Sequence, residues 1–473
     1  MSDLAAGLLA IAVASGAAAG RPFPVLVAAL LAAAALVARH PVVLIVACAL
    51  LASGLSARAA AGAQPLAAQR FVGWVTLLSD PAPAPGGVKV VVRLGRHHVE
   101  LWAHGEQAHD VGPLLAGERV AVRGVLRAVP IASRARDAHR HVVARLTIDD
   151  VVDSAPANRV QRAANWVHRT LAAGAAVLPR RARGLYLGFV IGDRRGIDAR
   201  TDARFEAAGL THLLAVSGEN VAFVLAAAGP LLRRLRIHTR AVAAIAVIGF
   251  FATVTRFEPS VLRASAMAAI AAVAAAAGRP ASGFRLLALA VAGLLLVDPF
   301  LVWSVGFRLS VGASLGILLL ARPLGARCPG PRAVAEAIGV TAAAQIGVAP
   351  VAIPVFGAVP LAALPANLLV APVVGPLMMW GLVAGLPAGL LGERAARILH
   401  LPTSAAIAWV DGVARSAAAL PPVVVDARAC LVGGVASVAV ALTWLGWRWR
   451  RLGSPPWRWS SALGATTSPP DHS

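Results

Sequence analysis

The segment Gly209 to Val221, GLTHLLAVSGENV, gathers His212, Ser217, Gly218, Glu219 and Asn220 inside a run that is otherwise apolar through Leu232. Ionisable groups are costly in hydrocarbon and normally face a bundle interior, a water-filled path or a partner. Serine beside histidine is the pairing of a nucleophile and its base, with Ser217 the attacker and His212 the general base. Helical spacing opposes that pairing, because residues five apart point about 140° away from each other. His212 and Glu219, seven apart, share one face of a continuous helix, and Ser217 and Asn220, three apart, share an adjoining one. A polar lining or gate for a path through the membrane follows more directly. Helix-packing polar contacts are the plainer alternative. If Ser217-Gly218 interrupts the helix, freed backbone groups join Glu219 in that lining.

Other polar residues lie in apolar surroundings further on. Arg263 follows FEPSVL, Arg308 lies within GFRLS, and Gln345 and Asn367 punctuate the late apolar region. Each arginine can reach an interface by snorkelling or face a path from inside.

The elements that must hold these residues are mostly membrane spans. The chain has 473 residues, 58% hydrophobic and only 14% charged, which is too little charge to cover a soluble protein of this size. The fold class expected is a predominantly α-helical polytopic membrane protein with about twelve transmembrane helices. Three early spans run near Leu4 to Ala19, Val25 to Val37 and Val42 to Leu55. Nine later ones run near Leu210 to Leu232, Ala241 to Thr255, Val261 to Ala277, Leu286 to Val302, Gly306 to Leu320, Ala333 to Val351, Val373 to Leu391, Ser404 to Leu420 and Cys430 to Leu445. The Pro-rich stretch Pro350 to Pro376 reads as re-entrant or as a broken helix.

Between the two sets lies a hydrophilic block, Gln64 to Ala155, with five β-rich runs: FVGWVTLL, VKVVVRL, HVELWA, RVAVRGVLRAV and HVVARLTIDDVV. Turn signals separate them, so a small β-barrel of OB type is expected, with any other small β-domain as the alternative. From 156 to 209 the pattern is that of a basic amphipathic helical linker. Arg162 and Arg169 fall on one face and Trp166, Val167 and Leu171 on another. Such a helix lies on a membrane surface or simply in solvent. The division is therefore 1–60 for early helices, 64–155 for the barrel, 156–209 for the linker, 210–447 for the membrane core and 448–473 for a basic tail. In that tail Trp447, Trp449, Trp457 and Trp459 read as an interfacial belt.

The net charge of +22 suggests nucleic acid until its location is read. Arginines crowd alternate short loops: Arg233, Arg234, Arg236 and Arg240; Arg279 and Arg285; Arg322, Arg327 and Arg332; Arg394 and Arg397; then Arg448, Arg450, Arg451 and Arg458. The intervening loops near Arg256, Asp298, Phe356 and Asp426 hold few, namely Arg256 and Arg428. By the positive-inside rule both termini are cytoplasmic and the barrel is external. Cys48, Cys328 and Cys430 lie far apart and suggest no disulfide or zinc framework. His139 and His141 form a weak metal signal, since alternate strand residues share a face. A solvated strand edge is the favoured reading, and no metal or cofactor is expected. No P-loop is present, so energy for any transport comes from elsewhere.

GLTHLLAVSGENV closely resembles the signature of the ComEC-type competence proteins, the inner-membrane DNA-uptake channels of bacterial transformation. The resemblance extends to LGFVIGDRRGID around Gly192 and Asp193, PSVLRASAM around Arg263 and VGFRLSVGASLGI around Arg308. It continues through TAAAQIGVAPVAIPVFG around Gln345 and LPANLLVAPVVGP around Asn367, in the same order and covering about Leu187 to Leu391. Two departures stand out. Many relatives carry histidine where this chain has Asn220, and many continue into a metallo-β-lactamase-like domain whose HxDxDH-type cluster this sequence lacks. The resemblance implies a multi-pass protein of the bacterial plasma membrane that conducts single-stranded DNA and does not itself cut it. Its partners would be single-stranded DNA, the lipid bilayer and, outside this chain, a separate nuclease, a DNA receptor and a cytoplasmic motor, with homo-oligomerisation open. An intramembrane hydrolase using Ser217 and His212, or an envelope protein derived from the family, are the alternatives. His212, Ser217, Gly218, Glu219, Asn220, Arg263, Arg308, Gln345 and Asn367 would line or gate the path, the two arginines meeting phosphates or pairing with Glu219. Arg162, Arg169, Trp74 and Trp102 are the candidate DNA contacts outside it, since single-strand binding combines cations with stacking aromatics.

Overall fold

The computed structural model describes residues 2–64, 66–129, 140–360, 362–420 and 423–424. The expected span Cys430 to Leu445, residues Asp426, Arg428 and His139, and the basic tail with its tryptophans lie outside these residues.

Three helices open the chain: α1 (Asp3–Ala19), α2 (Val25–Val37) and α3 (Pro41–Gly62). Ser2 caps α1 by accepting the Ala5 N–H, and Gly20 ends it in the left-handed conformation. The β-rich block then forms β1 (Gln69–Leu77), β2 (Ala82–Ala84), β3 (Gly87–Leu94), β4 (His97–His104), the short helix α4 (Gly105–Val111), β5 (Arg119–Ala128) and β6 (Val142–Ala155). These five long strands match the five runs read from the sequence. The sheet order is β1-β5-β6-β4-β3-β2, and β1 also pairs with β3, so the five long strands close into a barrel. Only β4 and β6 run parallel. Val75, Leu77, Val90, Val92, Val99, Leu101, Val120, Val122, Leu126 and Leu146 fill its interior. Gly124 lies at a register shift between β5 and β6, where a Cβ would stand 2.3 Å from the Thr147 carbonyl oxygen. A side chain there would force the bulge apart.

Next come α5 (Arg159–Gly174), α6 (Arg180–Ile191), α7 (Ala199–Ala207), α8 (Thr211–Leu214), α9 (Glu219–Leu232), α10 (Ile237–Val254), α11 (Pro259–Ala276), α12 (Gly283–Val297), α13 (Val305–Gly325), α14 (Arg332–Phe356), β7 (Ala358–Val359), α15 (Ala363–Leu390), α16 (Glu393–Leu399), α17 (Leu401–Ala418) and β8 (Val423–Val424). Among the described residues six helices are long and apolar enough to cross a membrane: α3, α10, α11, α13, α14 and α15. The apolar α1, α2, α9 and α12 are shorter. The polytopic membrane class stands, with fewer full-length spans than the twelve expected. One reason is local: the run Leu210 to Leu232 is interrupted between Leu214 and Glu219. Pro350 to Pro376 is also not one re-entrant piece. It comprises the end of α14, a turn opened by Gly357 at φ +71, and the first half of α15.

The segment 156–209 is no peripheral linker. Every residue from Gly184 to Ile191 in α6 is buried, packed with Phe205, Leu210, Leu214, Val370 and Leu377 in the largest apolar core. A helix apolar on all sides is a buried helix, and LYLGFVI reads that way. In α5, Val167 and Leu171 face this core, but Trp166, expected on the same face, points outward beside Arg162 and Arg169.

The barrel sits on the side where α10 and α12 end. Arg256, just after α10, pairs with Asp80 of the barrel, and Asp298, just after α12, contacts His141. One loop departs from the arginine pattern. On α5, His168 bonds the Val254 carbonyl at the end of α10, while Gly174 meets Gly389 near the end of α15, a Cβ there standing 2.7 Å from its nitrogen. Six residues of helix span about 9 Å, against about 30 Å of hydrocarbon. Arg394 and Arg397, a few residues past Gly389, therefore do not lie a full membrane away from Arg256.

At the other flank α13 and α14 lie antiparallel, backbone against backbone. A Cβ on Gly312 would stand 2.5 Å from the Gly347 carbonyl oxygen, and one on Gly316 would stand 2.3 Å from that of Ala343. Small residues allow such close approach between membrane helices.

Candidate functional site

Asp198 caps α7 by accepting the Thr201 N–H at 2.8 Å, α7 ends at Ala207, and Gly209, with a φ of +68, turns the chain into α8. There Gly209 lies against α15, with the Asn367 amide donating to the Gly209 carbonyl at 3.4 Å and to that of Ala363 at 2.7 Å. After Leu214 the helix breaks. The Val216 carbonyl accepts a hydrogen bond from the Ser260 hydroxyl at 2.5 Å, and Ser217 Oγ accepts the Glu219 N–H at 3.1 Å, opening α9. Gly218 presses on α11: a Cβ there would stand 2.7 Å from an Arg263 guanidinium nitrogen and 3.1 Å from Ala264 Cβ.

This break overturns the single helical face proposed for His212 and Glu219, which stand on separate helices, α8 and α9. Both are exposed. Among the described residues no hydrogen bond joins Ser217 to His212, and the Ser217 oxygen accepts the Glu219 N–H. Glu219 is paired with neither Arg263 nor Arg308. Instead Arg263 donates to the Ser310 hydroxyl at 2.9 Å and lies 3.4 Å from the Met267 sulfur. Arg308 Nε, Gln345 Nε2 and Ser265 Oγ are buried without a hydrogen-bond partner among the described residues. A set of cationic and polar groups thus stands on α11, α13 and α14 with no carboxylate partner among the described residues. Arginine carries fixed charge and several donors, so this arrangement suits anions or ordered water.

Asn220, 4% exposed, points the other way. Its amide donates to the Phe189 carbonyl at 3.2 Å in the last turn of α6, leaving its own oxygen unpartnered. Gly192 ends α6 at φ +77, and a Cβ there would stand 2.6 Å from Val216 Cγ2. The stretch around Gly192 and Asp193 is thereby seated on the signature loop. Asp193 accepts from the Arg195 guanidinium at 2.9 and 2.7 Å. Burial alone would raise this carboxyl, and the bonds and charge of Arg195 outweigh it, holding the group below its ordinary range.

Sequence reasoning missed the polar junction between barrel and core. Arg256 donates to both Asp80 oxygens at 3.0 Å and to the Asn165 side-chain oxygen at 2.9 Å. Asp80 also accepts the Ala116 N–H at 2.8 Å, while Asn165 donates to the Ala116 carbonyl at 3.2 Å. Arg169 donates to Glu118 at 2.6 Å. His168, 3% exposed, donates through Nε2 to the Val254 carbonyl at 2.6 Å, and its Nδ1 lies 4.0 Å from Asp80. Burial, then the Arg256 charge, push this imidazole below its usual range. Arg256 and Phe257 both adopt left-handed φ, 56° and 57°, a costly pair for non-glycine residues. No local signal announces a contact between residues 80 and 256. Glu258 beside them is pushed up by burial, with the Arg194 charge opposing.

On the barrel, Trp102 carries the Arg145 guanidinium at 4.7 Å and Lys89 at 5.8 Å from its ring centre, and its indole N–H donates to Glu100. Trp74, on β1, carries Arg119 at 5.0 Å. The two tryptophans occupy different strands and are not joined by any contact. His141 stands in a left-handed turn before β6, at φ 56°, outside the strand, and His139 lies outside the described residues. It meets Asp298 at 3.1 Å and stacks on Phe300. Among the described residues no three metal-ligating side chains converge.

Fold and site together define a helical, polytopic membrane protein with a closed barrel docked on one side and a broken helix beside arginines that have no carboxylate partner among the described residues. Residues 189–452, more than half of the chain, match the Competence protein family, and the chain belongs to it. It is similar to ComE operon protein 3 of Bacillus subtilis, 26% identical over 243 residues, which is 50% of this chain and 30% of that protein. It is likewise similar to the uncharacterised protein YcaI of Escherichia coli, 26% identical over 240 residues, 47% of this chain and 32% of that one. The match thus spans about a third of each relative's length. No solved structure matches the chain.

Proposed function

We propose that this protein is the inner-membrane component through which single-stranded DNA passes during natural transformation. Family membership supports a role in competence, and the observation that carries the finer reading is the uncompensated charge on α11 and α13. Arg263 and Arg308 face no carboxylate among the described residues, and Arg308, Gln345 and Ser265 leave donors unused. A strand of phosphates supplies the missing acceptors. The interruption at Ala215 to Gly218 leaves Glu219 and His212 exposed, and the negative charge of Glu219 would hold a strand away from its own helix and toward the arginines. The closed five-stranded barrel agrees with an OB domain, and the Trp102 and Trp74 pairs supply the aromatic and cationic surface such domains use. It lies externally in this reading, and strand cleavage and motive force come from other proteins.

A hydrolase built on Ser217 and His212 finds no support in the geometry. The test is uptake of labelled DNA in a deletion strain carrying the wild-type chain, Arg263→Leu with Arg308→Leu, or Gly218→Leu. Normal membrane levels with lost uptake in both variants, and recovery with Arg263→Lys and Arg308→Lys, are expected. Undiminished uptake by the double leucine variant would overturn the proposal.

A further inference from the structure

The outward face of α5 carries Arg159, Val160, Arg162, Ala163, Trp166 and Arg169, with no acidic residue among them. Trp166 is 51% exposed, and Arg169 is 60% exposed although bonded to Glu118. Height decides what this face meets. Two residues beyond Trp166, His168 is bonded to the carbonyl of Val254, the last residue of the membrane-length helix α10. Trp166 therefore stands at the edge of the apolar layer, where tryptophan is enriched in membrane proteins.

Helical side chains lean toward their own N-terminus. The N-terminus of α5 follows directly from the barrel, so Arg162 and Arg169 lean away from hydrocarbon toward the barrel side. Arg169 shows this in reaching Glu118, which belongs to the loop before β5. An aromatic ring at the boundary with cations leaning above it is the arrangement of an interfacial helix on anionic lipid. The aromatic and cationic pairs of the barrel lie elsewhere, on β1 and β4, so this face is not their continuation.

We infer that the outward face of α5, Arg159, Arg162, Trp166 and Arg169, is a seat for anionic phospholipid headgroups that fixes the barrel at the membrane surface. The same arginines are thereby taken from the DNA contacts expected of them, and the seat holds whether or not a strand passes through the core.

The test uses the full chain in vesicles of phosphatidylcholine, with or without phosphatidylglycerol, some carrying bromine on the acyl chain close to the headgroup. The emission of Trp166 is obtained as the difference between wild type and Trp166→Phe, an exposed position whose change leaves the fold intact. Loss of that emission in brominated vesicles is expected, larger with phosphatidylglycerol, and the extra loss disappears in Arg162→Gln with Arg169→Gln. Emission indifferent to brominated lipid overturns the inference. Quenching instead by an added single-stranded oligonucleotide also overturns it and makes the face a nucleic-acid surface.

Discussion

Replacing Arg256 by methionine tests the junction most directly. Asp80 and Arg256 are only 12% and 13% exposed, so solvent takes over little of the pairing when the guanidinium is removed. The substitution deletes two bonds of 3.0 Å to Asp80 and one of 2.9 Å to Asn165. A buried carboxylate then keeps only the Ala116 amide and an imidazole 4.0 Å away. Stripping one partner from a buried pair costs about 3–5 kcal/mol, mostly the penalty of the stranded charge. At about 1.4 kcal/mol per tenfold, local opening of the loop from Leu114 to Glu118 becomes roughly a hundred- to several-thousand-fold more frequent. Amide hydrogen exchange on the full chain in a bilayer reads this at Ala116, whose N–H is held by Asp80. Adding Asp80→Asn removes the stranded charge, so the double variant should recover much of the lost protection. An exchange rate at residues 114–118 within tenfold of wild type would show that the pair does not hold the barrel. So would a double variant as exposed as the sum of the singles.

The remaining expectations concern single groups. Gly192→Ala places a methyl in a left-handed position, costing about 1–2 kcal/mol before the contact with Val216 is counted, and should lower the melting temperature; an unchanged melt would remove the close approach as a constraint. Ser217→Ala deletes the hydrogen bond to the Glu219 N–H, worth about 0.5–1.5 kcal/mol, and should leave DNA uptake intact, whereas abolished activity in a properly inserted variant would revive the nucleophile. His168 titrates below its ordinary 6.5 in the folded protein. Between that lowered value and 6.5 the unfolded chain binds more protons, so stability is full above 6.5 and falls as pH drops through the window. Melting curves from about pH 7.5 to pH 5.5 should show this loss in the wild type and a flatter profile in His168→Gln; identical profiles would show that His168 is not the group responsible.

Much of the architecture was legible because period and composition report burial. The barrel's five strands alternate or run apolar over short stretches bounded by Gly and Pro, and each lies where those runs lie. The motifs around Asp193, Ser217, Arg263 and Asn367 also converge, through Gly192 on Val216, Gly218 on α11 and Asn367 on Gly209. Two things were not legible. A helical face drawn through His212 and Glu219 presumes continuity, and nothing in AVSG fixes the break until Ser260 and Arg263 are packed against it. The junction of Asp80 with Arg256 is a meeting of residues far apart in the chain, each unremarkable in its own neighbourhood.

The glycine contact between α13 and α14 bears on where this protein is able to move. With Gly312 on Gly347 and Gly316 on Ala343, no flexible side chains lie between the backbones to cushion sliding or rotation. Displacement of either helix by even an ångström there drives main chain into main chain. The pair behaves as one stiff double rod, and Arg308 on it is a fixed charge. On the proposed reading, any widening that admits a strand must then come from elements other than this pair, which holds one wall of the membrane core still.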